Sequence, residues 1–132
     1  MLLIDIQVWK LNIDNSSFTP MPEPKVRDKY HGCGIHKPSD DSEPYILKCG
    51  PTGCEKYSLD GETQEQVSRL NNAAFRIKIV SLGGKTYAFG TGTGTKVEVW
   101  NGQGWDLAPQ EFQMKTKRYG SGVMAVPKDF VC

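Results

Sequence analysis

At 132 residues the chain amounts to one domain, and its 16 Lys and Arg against 15 Asp and Glu leave a formal charge of +1. That balance makes no long-range positive field to gather phosphates, so nucleic acid is excluded as an expected partner. No apolar run approaches the ~20 residues of a membrane-spanning helix, and 14 Gly with 8 Pro favour turns over long helices. The expected class is all-β.

Taken in order, Ile4 to Leu11 alternates with period two, Ile4, Ile6 and Val8 on one face and Asp5, Gln7 and Trp9 on the other, and reads as a strand. Asp5 interrupts the opening too early for it to serve as the apolar core of a secretory signal. Asp14-Asn15-Ser16-Ser17 is a turn cluster, and Phe18 opens a short strand that Pro20-Met21-Pro22 ends. Tyr30 to His36 is small-residue rich, as suits a strand approached closely by its neighbours. After the polar loop 37–44, strands are expected over Tyr45–Cys49 and Cys54–Leu59, the latter closed by the hairpin dipeptide Asp60-Gly61. Gln64 to Leu70 is read as strand by its place in the series. Phe75 to Leu82 alternates, Gly83-Gly84 turns it into Lys85–Phe89, and the Gly-Thr loop 90–95 leads to Val97–Trp100. Asn101-Gly102 then turns the chain into a strand around Trp105, and Arg118 opens another, followed by the apolar run 121–126.

These strands repeat. Ile6-Gln7-Val8-Trp9, Cys54-Glu55-Lys56-Tyr57 and Val97-Glu98-Val99-Trp100 share the form x-Glu/Gln-x-aromatic. Phe18, Val67 and Trp105 occupy the strand after each, and Arg27, Arg76 and Arg118 open the next, at a period of roughly 45 residues. A sheet apolar on both faces has nowhere to hide either of them alone and must be sandwiched between copies of itself. In their opening Arg, the glycine closing the second strand (Gly50, Gly90), the late aromatic, and Trp105 before Ala108-Pro109, the units resemble kelch repeats of a β-propeller. The resemblance departs from the family pattern at Val67, where a Trp is expected, and at the single glycines.

The resemblance implies antiparallel propeller blades: a partial blade over 1–25, blades over 26–72 and 73–110, and a partial blade over 111–132. That is an incomplete propeller, because closed ones need at least four blades. Its open faces are expected to self-associate, with Ile6, Val8 and Trp9 at one end and Val123, Met124 and Val126 at the other. The implied function is a non-catalytic scaffold that presents loops to a protein partner, without cofactor; the alternative is part of a secreted galactose-oxidase-like or carbohydrate-binding propeller. For Arg27, Arg76 and Arg118 the resemblance leaves two roles open: pairing carboxylates of a partner through a rigid guanidinium fork, or packing blades against loop acids.

The remaining chemistry-bearing residues carry less. His31 and His36 stand five apart on a predicted strand and so face opposite ways, which argues against a metal site with Cys33. The loop 90–95 is followed by a strand, not by the helix N-terminus that a phosphate cradle requires. Asn15-Ser16-Ser17 is a glycan-acceptor triplet in a turn. Four cysteines, Cys33, Cys49, Cys54 and Cys132, allow three pairings. Reflecting the chain about residue 41, near the middle of loop 37–44, sets Cys33 opposite Cys49, the expected disulfide. The compartment is left open between cytoplasmic and secreted.

Overall fold

The structure, a computed structural model, describes residues 9–28, 30–73 and 75–117. Within them the alternating runs fold as short strands cut by Gly, Pro, Asn and Asp, with one 3-10 turn at Gln110–Phe112. β1 (Trp9–Asn12) and β2 (Ser17–Pro20) form a hairpin. β3 (Gly32–His36), β4 (Tyr45–Cys49), β5 (Cys54–Ser58) and β6 (Gln64–Val67) form one sheet, each strand beside the next in sequence. β7 (Lys78–Leu82), β8 (Lys85–Thr91), β9 (Lys96–Trp100) and β10 (Trp105–Leu107) form a second sheet of the same order. Every pairing is antiparallel, and the protein is all-β.

The two four-stranded sheets pack face to face, β3 lying on β7. Because side chains alternate along a strand, Leu47 and Cys49 of β4 share a face with Cys54 of β5, and this face meets Ile79, Ala88, Trp100 and Trp105 of the second sheet. Leu70 and Ile77, from the connection between the sheets, close the same core. Each such aliphatic side chain contributes about 1.5–3 kcal/mol on burial. Trp100 and Trp105 oppose each other across β9 and β10 with ring centroids 5.2 Å apart, and the Trp100 indole N–H donates to the Tyr45 hydroxyl at 2.9 Å, tying the sheets together.

Glycine permits the approach of β3 to β7. A Cβ on Gly32 would stand 2.6 Å from the Ile77 carbonyl oxygen, and one on Gly34 would stand 2.8 Å from the Ile79 side chain. Only hydrogen fits in either place, which is why the small-residue run sits in this strand.

Several expectations need correction. Arg27 and Arg76 do not open strands; they lie in the connections, five and two residues ahead of β3 and β7. β6 ends at Val67, so the expected strand over Gln64 to Leu70 stops short of Leu70. The expected Cys33–Cys49 bridge is absent, because the register of β3 on β4 sets Gly32, not Cys33, opposite Cys49. One residue of slip sends Cys33 to the other face, opposite Lys48, where it is a free, exposed thiol. Cys49 instead opposes Cys54 across β4 and β5 and is bonded to it, closing the turn Gly50–Gly53. Of the residues expected at the open ends, Trp9 is exposed; Ile6, Val8, Val123, Met124 and Val126 lie outside the described residues, as do Arg118, Cys132 and most of the 111–132 unit.

His36 ends β3 with its Nδ1 2.8 Å from the Thr86 hydroxyl, which stands 2.6 Å from the Ser81 hydroxyl; Ser81 donates in turn to the Ile35 carbonyl. Burial holds this imidazole below its usual value. As pH falls below about 6.5 the unfolded chain therefore takes up a proton that folded His36 resists, and stability drops with it. Urea midpoints taken from pH 8 to pH 5 should fall over that window in the native protein, with a shallower fall in His36→Gln.

Candidate functional site

One end of the two sheets is built from the connections that lead into them, and a buried glutamate holds each connection in place. Glu55 of β5, wholly buried, accepts the backbone N–H of Lys25 at 2.5 Å and of Val26 at 2.9 Å. Its carboxylate also accepts from Lys48 Nζ at 3.1 Å, the Tyr57 hydroxyl at 3.0 Å and the Gln64 amide at 2.8 Å. Burial by itself raises a carboxyl group, but the Val26 N–H, the Lys48 ammonium and the Tyr57 hydroxyl together hold Glu55 below the ordinary carboxylate range. Burial, with the Glu55 charge beside it, pushes the Tyr57 phenol up, so it stays protonated and donates.

Glu98 occupies the same place in the second sheet. Also wholly buried, it accepts the backbone N–H of Asn71 at 2.9 Å and of Asn72 at 2.8 Å, and the Asn72 side-chain amide at 3.1 Å. Asp28 completes the first connection by accepting from the backbone N–H and the hydroxyl of Thr52, both at 2.9 Å, across the turn that the disulfide closes. A Cβ on Gly50 would collide with that aspartate.

With the connections fixed and β3 drawn onto β7, the residues just ahead of the two strands meet. Tyr30 and Phe75 touch edge to face at 5.9 Å, and the Arg76 guanidinium lies 5.2 Å above the Tyr30 ring. All three are exposed, Phe75 to 61%. Arg76 also holds a backbone φ of 61°, a left-handed conformation that costs a residue bearing a side chain about 1–3 kcal/mol. A solvent-facing cation stacked on an aromatic pair can pair a carboxylate through its free edge while the rings take up an apolar neighbour.

Of the sequence-derived candidates, only Arg76 joins this cluster. Arg27 is engaged within its own connection, paired with Glu23 four residues earlier. Arg118 lies outside the described residues. Asn15 sits apart, at the tip of the β1–β2 hairpin. His31 Nδ1 donates to the Asp28 backbone carbonyl, 3.1 Å away, and does not converge with His36. Tyr30 and Phe75 were not singled out by the repeat, although Phe75 directly precedes an Arg of the series and Tyr30 stands two residues before the glycine that packs on Ile77.

A cleft of about 300 Å³ separates the β1–β2 hairpin from the outer face of the first sheet, lined among others by Trp9, Leu11, Cys33, Ile46 and Tyr57. Its walls are largely apolar, and among the described residues no group of three or more His, Cys, Asp or Glu gathers to hold a metal ion. No family model matches the chain, and no curated protein matches it either.

Because the rim depends on the contact between β3 and β7, Gly32→Ala should lower stability by about 1–3 kcal/mol, as overpacking of a tight contact does. Chemical denaturation measures this, and a substitution of no effect would show that the two strands can part without loss.

Proposed function

We propose that the chain is a segment of a kelch-type propeller acting as a non-catalytic binding scaffold, with the Tyr30, Phe75 and Arg76 rim offered to a protein partner. The observation that carries this reading is Arg76, kept exposed and in a costly backbone conformation above an exposed aromatic pair. Residues held in sparsely populated backbone conformations cluster at active sites, ligand clamps and switch regions. The partner chemistry that fits is a peptide segment carrying a carboxylate beside an aromatic or aliphatic side chain. Supporting the propeller reading are the two four-stranded sheets of identical winding, stacked face to face, with Glu55 and Glu98 anchoring each to its own leading segment.

The binding claim is tested by selecting linear peptides from a displayed library against the whole chain. Acidic, apolar-flanked sequences should be enriched, and Arg76→Ala should weaken them about tenfold or more, as loss of a charge-assisted hydrogen bond of roughly 1.5–3 kcal/mol implies. Arg76→Gly should bind as poorly yet be no less stable than the native chain, since glycine adopts the positive φ freely. Selected peptides indifferent to both substitutions would overturn the reading.

The propeller reading also leaves two sheet faces for further units to cover. Exposed Ile35 and Cys33 lie on one; Val80, Tyr87 and Val99, aligned across β7, β8 and β9, lie on the other, with Phe112 stacked on Tyr87 at 5.9 Å. Light scattering of the isolated chain at micromolar concentration should show association, and a stable monomer would count against open blade faces.

A further inference from the structure

We infer that Asn15 is a glycan-attachment site, its side-chain amide taking an N-linked oligosaccharide in a secretory compartment. The triplet Asn15-Ser16-Ser17 is the only Asn-x-Ser/Thr in the 132 residues. It lies where such an acceptor must lie: the last pair of the hairpin is Asn12 with Ser17, leaving residues 13–16 as an exposed turn.

The local geometry suits the chemistry. The Asn15 side-chain oxygen accepts both the backbone N–H of Ser17 at 3.1 Å and the Ser17 hydroxyl at 2.6 Å. Neither bond uses Nδ2, the atom that would be modified. Ser16, at φ 54°, makes the turn that lets residue 17 reach back to residue 15. The arrangement spans three consecutive residues and borrows nothing from distant ones, so it is open to the chain before tertiary packing is complete. In the reaction the Nδ2–C1 bond to the first sugar forms and the C1–oxygen bond to a lipid pyrophosphate breaks. The pyrophosphate leaves with the electron pair, and Nδ2 gives up one proton. The co-reactant is a lipid-pyrophosphate-linked oligosaccharide.

An independent feature points to the same compartment. The Cys49–Cys54 disulfide closes a turn in the middle of the first sheet, and such bonds form and persist where thiols are oxidised, as along the secretory route. The fold also tolerates the addition, since both hairpin strands are exposed along their whole length. Ile13, 81% exposed beside the acceptor, offers an apolar surface for the first sugar to cover.

The whole chain, directed through the secretory pathway of a eukaryotic cell, tests this. The expected result is a mass increment removed by peptide N-glycosidase, leaving aspartate at position 15. The increment should be absent in Asn15→Gln and in Ser17→Ala, and retained in Ser17→Thr. Ser17→Ala keeps the acceptor asparagine, so its loss of glycan reports the hydroxyl and not a vanished side chain. Secreted protein whose Asn15 peptide is wholly unmodified, or a glycan that survives Asn15→Gln, would overturn the assignment.

Discussion

The structure depends on two buried carboxylates. Glu55 and Glu98 sit in the third strands of their sheets, with no exposed surface, and each accepts two successive backbone N–H groups from the segment that leads into its own sheet. A connection between sheets carries backbone donors that no ladder satisfies, and leaving them buried without partners would cost more than a typical hydrogen bond returns. One carboxylate satisfies two such donors at once and so ties the beginning of each unit to its middle. The charge is met differently in the two cases. Glu55 has the buried ammonium of Lys48, itself held by the Val26 carbonyl at 2.7 Å, whereas Glu98 is served by the Asn72 amide as well as the two backbone N–H groups.

Everything at the rim follows from that anchoring. With residues 25 and 26 held by Glu55 and residues 71 and 72 by Glu98, the chain reaches β3 and β7 from fixed points, and Gly32 and Gly34 let the two strands close to contact. Tyr30, Phe75 and Arg76 then come together although 45 residues separate the first from the second. The rest of the core is conventional apolar burial around Leu47, Ile77 and the Trp100–Trp105 pair. The rim departs from it by exposing large apolar side chains and by holding Arg76 in a left-handed backbone.

The disulfide illustrates how finely a pairing scheme must be known before chemistry can be read from it. Reflection about residue 41 misses the true register by a single residue, because the pairing of β3 with β4 is centred between residues 40 and 41, with His36 opposite Tyr45 and Cys33 opposite Lys48. In a strand one residue is the difference between the core face and the opposite face. Cys33 thus stands free beside the cleft, while Cys49 meets its neighbour five residues on. The turn between those two cysteines is tight enough to set them directly opposite each other.

What the amino-acid sequence determined by itself is local: period-two alternation, Asp60-Gly61 and Gly83-Gly84 at hairpin turns, the order of short strands, and recurrence of a Glu two residues before an aromatic. These follow from side-chain direction and backbone freedom within a few residues, and they gave the all-β antiparallel class and most strand positions. The acceptor triplet at Asn15 is legible in the same way, since its hydrogen bonds stay within the turn. Only the tertiary structure decided which cysteines meet, that Arg27 is spent on Glu23 while Arg76 stacks on Tyr30, and that the repeated glutamates serve as anchors. Those outcomes depend on register and on contacts between residues tens of positions apart, where a shift of one residue reverses the face and no local pattern records the choice.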